Sequence, residues 1–171
     1  MMERIILVDE FDRPVGSAEK MEAHRTPKLH RAFSVFVHHG GKMLIQRRAM
    51  GKYHSGGLWA NACCSHPREG EPTELAVVRR LEQEIGVRGA SPVRLFSFVY
   101  EHKFRDDLYE HEYDHVFAAD YSGSLSENAD EVMGVEWLEF GELTSRLRET
   151  PEKFAVWFLI AAPRVLTALK K

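Results

Sequence analysis

The sequence has few features of a secreted, membrane-spanning or nucleic-acid-binding protein. Only two of its 171 residues are cysteines, and these are adjacent, Cys63 and Cys64, which is a poor arrangement for a structural disulfide. No apolar run approaches the roughly 20 residues of a transmembrane helix, and no apolar leader begins the chain. A formal net charge of −3 gives no overall attraction to nucleic acid or anionic membranes. We therefore expect a cytoplasmic protein in a reducing environment, with no nucleic-acid, membrane or protein partner.

The remaining composition, 44% hydrophobic and 29% charged, is typical of a globular protein, and we expect one domain, residues 1–171. Alternation and short apolar runs predict strands at residues 5–8, 32–37, 43–48, 93–100, 113–121 and 132–138. Apolar residues at helical spacing predict helices between Pro72 and Ile85, at 140–147 and at 152–169. Gly86 is expected to end the first of these helices, and Pro163 to kink or interrupt the last. Such a mixture favours one α/β domain with a mixed sheet.

The most informative stretch lies just before the first long helix. Cys64 and His66 put a thiol and an imidazole two positions apart, and the helix that follows carries both arginines and glutamates. A thiol is a potential nucleophile or acid, and an imidazole is a potential metal ligand or proton carrier. The combination points to an enzyme.

The helix resembles the Nudix signature, with departures that concern its carboxylates. The matching positions are Glu71, Arg79, Leu81, Glu84, Gly86 and Val87. Ser65 stands at the first glycine of the pattern, while Arg80 and Gln83 stand where it has glutamates. Nudix hydrolases use this dense carboxylate cluster to bind divalent metals and activate water. Losing two carboxylates, one of them to a cation, argues against pyrophosphohydrolysis.

Arg80 in this position suits a diphosphate, since a guanidinium matches phosphate oxygens bidentately. Glu84 lies one turn further along the same helix face, where it would hold a Mg²⁺ that bridges the diphosphate. Taken alone, the two residues are better explained as an ordinary i,i+4 surface pair worth a few tenths of a kcal/mol, and the surrounding motif is what favours the diphosphate.

These departures, with Trp59, Asn61, Cys64, His66 and Pro67, resemble the type 1 isopentenyl-diphosphate isomerase branch of the Nudix superfamily. Further matching blocks follow in unbroken order from Ile5 to Trp157: Glu19-Lys20 with His24, residues 29–34, residues 44–49 with Lys52, Glu110-His111-Glu112, and Trp157. The resemblance implies a Nudix-type α/β/α sandwich around a mixed central sheet. It also implies interconversion of isopentenyl and dimethylallyl diphosphate in isoprenoid biosynthesis, by metal-assisted 1,3-allylic proton transfer.

Three histidines and two glutamates fill the positions that bind a metal in this family. They are His24, His30, His66, Glu110 and Glu112. Nitrogen and carboxylate donors together suit a first-row ion such as Mn²⁺, Fe²⁺ or Zn²⁺. Glu110 and Glu112 would face the same side of a strand, because side chains alternate with a period of two. For His38, His39, His54, His102, His111 and His115 we expect ordinary surface or hydrogen-bonded imidazoles.

By the same resemblance, Cys64 and Glu112 form the acid–base pair on either side of the substrate. Glu112 is expected to protonate isopentenyl diphosphate while Cys64 removes the other proton, and the roles exchange with direction. Trp157 would stabilise a carbocation through its ring face, and Tyr100 would hydrogen-bond within the acid–base network. Cys63 is expected to pack in the core, because the family spacing Cys-x-His fits Cys64 alone.

The substrate's charge requires local cations in a net-acidic protein. Lys20, Arg48, Lys52 and Arg80 are the predicted diphosphate ligands. One alternative is a Nudix pyrophosphohydrolase of a nucleotide or another diphosphate, against which Arg80 and Gln83 argue. Another is a Nudix-fold binding module without catalysis. Simple binding would need no acid–base pair, which argues against the second alternative.

Overall fold

A computed structural model describes residues 2–171. In this range the elements are β1 (Arg4–Val8), β2 (Pro14–Glu19), α1 (Lys20–Arg25), β3 (His30–His39), β4 (Lys42–Arg48), β5 (Trp59–Asn61), β6 (Cys63–Ser65), α2 (Thr73–Ile85), β7 (Val93–Lys103), β8 (Tyr109–Asp120), β9 (Val132–Glu139), α3 (Phe140–Glu149) and α4 (Val156–Leu169). A 3₁₀ turn, Pro151–Lys153, precedes α4. No helix of residues 2–171 combines the length and apolar character needed to cross a membrane.

Strand β3 is the centre of a mixed sheet. It pairs antiparallel with β1, β4 and β6 along different parts of its length. On β8 it forms a long parallel ladder, from His30 opposite Glu112 to His38 opposite Asp120. Strand β7 extends the sheet beyond β8, β9 and β5 both pair with β4, and β2 pairs with β1. Strands β6 and β8 therefore both lie against the first half of β3, which brings their side chains into one region.

Helices cover both faces of this sheet. Helix α2 packs Ala76 and Leu81 against Val35 of β3, while α4 packs Phe158 against Phe36, the next residue of the same strand. The two phenylalanine rings are stacked with centroids 5.6 Å apart. Because successive strand residues point to opposite faces, one apolar run supplies both cores. The predicted α/β/α sandwich with a mixed sheet is confirmed.

Several element boundaries differ from the sequence-based predictions. The last helix begins at Val156 rather than at 152, because Pro151–Lys153 forms a separate 3₁₀ turn. Pro163 lies inside α4 without ending it, at an exposed position of the helix. Strands β7 and β8 extend through most of residues 101–112, which are strand ends around a short connection.

The loop between β4 and β5 folds back tightly on itself. The backbone of Arg48 accepts a hydrogen bond from Gly57 N–H (2.9 Å) and donates one to Leu58 (2.9 Å). Gly56 has no room for a side chain, since a Cβ there would lie 2.6 Å from the carbonyl oxygen of Met50. Because of this closure, residues 52–54 lie against the sheet, beside β6 and the tip of the β7–β8 hairpin.

Candidate active site

One pocket collects most of the residues that the sequence singled out. Its lining comprises Lys20, Phe33, Ser34, Arg48, Lys52, Tyr53, Cys64, Ser65, His66, Arg80, Glu110, Glu112 and Trp157. All four predicted diphosphate ligands are therefore in one place, together with the predicted acid–base pair. Tyr100, Glu84, His24 and His30 are buried next to this lining.

Four of the five predicted metal ligands form a compact buried cluster: His24, His30, His66 and Glu112. One potential ligand atom from each lies within 4.8 Å of the others. Helix α1 supplies His24, the start of β3 supplies His30, and Glu112 is in register with His30 on β8. His66 follows directly after β6.

Backbone contacts orient two of these imidazoles. The Nδ1 atom of His24 is 2.6 Å from the carbonyl oxygen of Lys20, and that of His30 is 2.8 Å from the carbonyl oxygen of Lys28. A proton on Nδ1 satisfies each carbonyl and leaves Nε2 as a lone-pair donor. Both Nε2 atoms are buried without a hydrogen-bond partner. This is the arrangement of metal-binding histidines, whose second nitrogen is fixed by an outer partner.

The charge state of the cluster also suits a divalent cation. Burial lowers the pKa of His24, and it lowers that of His66 well below its usual range, so both rings are neutral. Burial alone would raise the pKa of Glu112, but the neighbouring His30 and His66 rings hold it well below the usual range. His66 Nε2 lies 2.9 Å from Glu112 Oε1, and His30 Nε2 lies 3.5 Å from the same oxygen. Imidazoles grouped around one carboxylate fit a first-row metal ion.

Glu110, the fifth predicted ligand, has other contacts. Its Oε2 accepts a hydrogen bond from the Tyr100 hydroxyl, and its Oε1 lies 2.6 Å from Nε2 of His54. Tyr100 also lies 3.0 Å from Oε2 of Glu112. Burial and the neighbouring carboxylates raise the pKa of Tyr100 well above its usual value, so it remains a phenol. Tyr100 thus joins the two glutamates, and metal ligation by Glu110 stays a prediction.

The two cysteines face different environments because they are neighbours on a strand. Cys63 is fully buried in the core beneath α2, whereas Cys64 lines the pocket. The Nη1 atom of Arg48 donates to Cys64 Sγ at 3.6 Å. Burial raises the pKa of Cys64 to about 12, although the charge of Arg48 acts in the opposite direction. Cys64 is therefore a thiol at neutral pH.

Trp157 forms the wall of the pocket beside Arg48. The guanidinium carbon of Arg48 lies 5.0 Å from the ring centroid, within the range of a cation–π contact. The indole Nε1 donates to Oδ1 of Asn61 at 3.0 Å, and Asn61 is itself anchored to the backbone of Val35 and Cys63. The ring is thereby held in one orientation.

The other cations are balanced by carboxylates. Arg80 contacts Glu84 at 2.5 Å and Glu131 at 3.2 Å, and Lys52 pairs with the same Glu131. Glu84 is buried and also accepts a hydrogen bond from Gln46 at 3.1 Å. The i,i+4 pair that the sequence suggested is therefore present as part of a larger, partly buried network.

Three residues near the pocket were not anticipated from the sequence. Glu131 bridges two cations, Asp114 is buried and accepts a hydrogen bond from Ser34 at 2.7 Å, and His54 is buried against Glu110. The period of two along β8 could have indicated Asp114, which shares a face with Glu110 and Glu112. His54 lies in a loop, where no periodicity predicts a contact.

Comparison with known proteins places the chain in a family. A model described as the NUDIX domain matches residues 28–158. A protein of Aromatoleum aromaticum named Isopentenyl-diphosphate Delta-isomerase 2 is 46% identical over 168 residues, covering 98% of this chain and 88% of that protein. An Isopentenyl-diphosphate Delta-isomerase of Photobacterium profundum is 45% identical over 170 residues, covering 96% of this chain and 92% of that protein.

Solved structures agree with the fold. The crystal structure of DR0079 from Deinococcus radiodurans has a TM-score of 0.72 at 25% identity, covering 86% of this chain and 90% of that one. A MutT protein from Methanosarcina mazei has a TM-score of 0.67 at 15% identity, covering 84% of this chain and 96% of that one. The chain therefore belongs to the NUDIX proteins and, among them, to the isopentenyl-diphosphate Delta-isomerase family.

Proposed function

We propose that the protein interconverts isopentenyl diphosphate and dimethylallyl diphosphate. The observation that carries this proposal is the meeting of Cys64 and Glu112 in a pocket that also contains four cations. The extensive identity to proteins named isopentenyl-diphosphate Delta-isomerase supports the same activity. Since both cysteines are free, we also propose a reducing, cytoplasmic setting that keeps the Cys64 thiol available.

The proton transfer needs one donor and one acceptor. One group adds H⁺ to the terminal carbon of the double bond, so the tertiary carbon becomes cationic. The other group then removes a proton from the neighbouring CH₂ group on the diphosphate side, which forms the new double bond. Strands β6 and β8, which carry Cys64 and Glu112, lie on opposite sides of β3. The pKa directions put the resting proton on Cys64 and leave Glu112 ionised.

The histidine cluster is suited to hold Mn²⁺, Fe²⁺ or Zn²⁺, which would supply Lewis-acid stabilisation of the Glu112 carboxylate. His24, His30, His66 and Glu112 would be the ligands, with Glu110 as the predicted fifth. Glu84 is our candidate for a Mg²⁺ that accompanies the diphosphate, since it is the buried carboxylate next to Arg80.

The substrate's two ends would meet different surroundings. The four pocket cations, Lys20, Arg48, Lys52 and Arg80, would bind the diphosphate. The face of Trp157 would stabilise positive charge on carbon, an interaction worth about 0.5–2 kcal/mol.

One assay separates this function from the hydrolase alternative. Purified protein is incubated with isopentenyl diphosphate, Mg²⁺ and Mn²⁺, and dimethylallyl diphosphate is followed by proton NMR. We expect the isomer to accumulate without release of phosphate. Absence of the isomer, together with release of phosphate or nucleoside monophosphate from other diphosphates, would support pyrophosphohydrolysis instead.

A further inference from the structure

We propose that His54 is a positioning residue of the active site, which fixes Glu110 and through it the carboxylates around the metal cluster. This inference rests on the proposed isomerase function and deepens it. The starting observation is a buried contact between two ionisable side chains: Nε2 of His54 lies 2.6 Å from Oε1 of Glu110, and both residues are less than 8% exposed.

The histidine is oriented towards the carboxylate. Its Nδ1 atom lies 3.1 Å from the hydroxyl oxygen of Ser55, which can donate to it. That arrangement leaves the ring proton on Nε2, beside the Glu110 carboxylate. Despite the short distance to Oε1 of Glu110, Nε2 makes no regular hydrogen bond. The contact is therefore a short polar contact, and a small rotation of the Glu110 side chain would either complete a hydrogen bond or separate the two atoms.

Each carboxylate oxygen of Glu110 has a close polar neighbour. The Tyr100 hydroxyl donates to Oε2, and Tyr100 also reaches Glu112, which belongs to the metal cluster. His54, Glu110, Tyr100 and Glu112 thus form a continuous buried chain of polar contacts. A glutamate side chain has several rotatable bonds, so the backbone of β8 alone does not determine where its carboxylate lies. His54 supplies the missing constraint at one end of the chain.

The His54 ring is itself held firmly. It stacks on Phe104 with centroids 4.2 Å apart and planes at 9°, and its edge meets Trp157 at 5.7 Å. Its backbone carbonyl accepts a hydrogen bond from Nη2 of Arg48 at 3.2 Å. Arg48 also donates to Cys64. His54 is therefore linked through Arg48 to Cys64, and through Glu110 and Tyr100 to Glu112. The tight closure of the loop at Gly56 keeps the ring in this position.

Removing the His54 donor should therefore loosen the carboxylates without disturbing the cations that bind the diphosphate. Losses of outer partners of metal ligands typically lower metal affinity or activity 10- to 100-fold. We expect a fall in Mn²⁺ affinity and in kcat, while KM for isopentenyl diphosphate changes by less than about 3-fold.

Two substitutions separate the polar role from a packing role. His54→Phe keeps an aromatic ring on Phe104 but removes the donor, whereas His54→Gln keeps a donor and removes the ring. His39→Gln is the control, because His39 is exposed and paired with Asp120 away from the pocket. For each variant, Mn²⁺ affinity is measured by electron paramagnetic resonance titration, kcat and KM by the isomerase assay, and thermal unfolding by circular dichroism.

We expect Mn²⁺ affinity and kcat to fall about 10-fold or more in His54→Phe. His54→Gln should retain most of the Mn²⁺ affinity and most of the kcat. Wild-type values in His54→Phe, or equal losses in both variants that follow their thermal destabilisation, would overturn it. If the wild type forms no dimethylallyl diphosphate, the proposed function fails, and the Mn²⁺ titration still decides the role of His54. If the wild type binds no Mn²⁺, the positioning role is wrong whatever the activity.

Discussion

Cys63 and Cys64 differ by one position, and strand geometry gives them different surroundings. Cys63 packs beneath α2 in the core, and burial raises its pKa well above the usual value. Cys64 lies in the pocket beside Arg48, where a protonated thiol can reach a substrate. Neither the composition nor the adjacency of the two thiols distinguishes them, but the alternation of side chains along β6 does.

We expect Cys64→Ala to lower kcat by at least about 10²- to 10⁴-fold, because positioned proton transfer contributes that much. Cys63→Ala should keep a kcat close to that of the wild type and lower the free energy of unfolding by about 1 kcal/mol. Both are measured by proton NMR of the products and by urea denaturation. A fully active Cys64→Ala enzyme would show that the thiol is not one of the proton carriers.

At the scale of the element, helix α2 ends through a glycine in the left-handed region. Gly86 has a φ of 69°, its N–H bonds to the carbonyl of Glu82, and that of Val87 bonds to the carbonyl of Leu81. The bond from Gly86 to Glu82, with Gly86 in the left-handed region, is the pattern of an αL cap. A Cβ at Gly86 would also lie 2.8 Å from Cβ of Ser126 and 2.9 Å from its backbone nitrogen.

Gly86→Ala should therefore combine backbone strain with a steric clash. Gly89→Ala is a matched control, since Gly89 has a similar φ of 74° and no atom within 4 Å of its Cβ position. We expect the control to lower the free energy of unfolding by about 1–2 kcal/mol from strain alone, and Gly86→Ala to lower it by more. Urea denaturation measures both, and equal losses would mean that Ser126 moves aside without cost.

The turn between β1 and β2 is tied to the central strands by an ionic cluster. Asp12 contacts His115 of β8 at 2.8 Å and Arg31 of β3 at 2.8 Å. Burial lowers the pKa of His115 below its usual 6.5, with Arg94 and Arg31 acting in the same direction and Asp12 opposing them. The folded state therefore favours the neutral imidazole.

This shift predicts a pH dependence of stability. Below about pH 6.5 the unfolded chain binds a proton at His115 that the folded chain does not. The contribution of neutral His115 to the free energy of unfolding is complete above pH 6.5. It is lost as the pH falls towards the lower pKa of the folded state. We expect His115→Gln to make the free energy of unfolding less dependent on pH between 5 and 6.5, by at most about 1.4 kcal/mol per pH unit. Urea denaturation across this range measures the change, and an identical slope would contradict it.

The elements that the sequence predicted are those with a clear period or a clear end. Helix α2 was placed correctly because its apolar spacing is regular and Gly86 can occupy the left-handed region. Strands β5 and β6 have only three residues each, which is too short for alternation to be visible. Helix α1 has six residues, so it also lacks a readable period. Such elements depend on tertiary contacts.

The candidate site was predictable where residues share a short spacing or match a family pattern. Cys64, His66 and the Glu110–Glu112 pair belong to this group, and the structure brings them into one region. Glu131 and His54 have neither a short spacing to another site residue nor a match to a family pattern. Their contacts arise from the return of β9 beside β4 and from the closure of the β4–β5 loop, which are three-dimensional events without a local sequence signal.

At the scale of the whole molecule, the four candidate metal ligands of the histidine cluster come from separate parts of the chain. They join helix α1, strand β3, the segment after β6 and strand β8. A metal that binds the folded state but not the unfolded chain stabilises the fold by mass action, by about 2.7 kcal/mol at 100 times its Kd.

We therefore expect Mn²⁺ to raise the thermal unfolding temperature and a chelator to lower it again. The increase should disappear in His66→Ala and persist in His39→Gln, since His39 is exposed and distant from the cluster. Differential scanning fluorimetry measures both. An unchanged increase in His66→Ala would exclude this histidine as a ligand.

The parallel ladder between β3 and β8 has a consequence for when the proposed metal would bind. His30 and Glu112 are opposite each other in register although 82 positions separate them (112 − 30). Closing so long a segment before any contact forms is slow, and parallel pairing of this kind delays folding. A nascent chain would thus present histidines without their carboxylate partner until β8 has been synthesised and paired. Metal binding is therefore expected late in biogenesis, after β3 and β8 have paired, so that it stabilises the folded chain rather than guiding its folding.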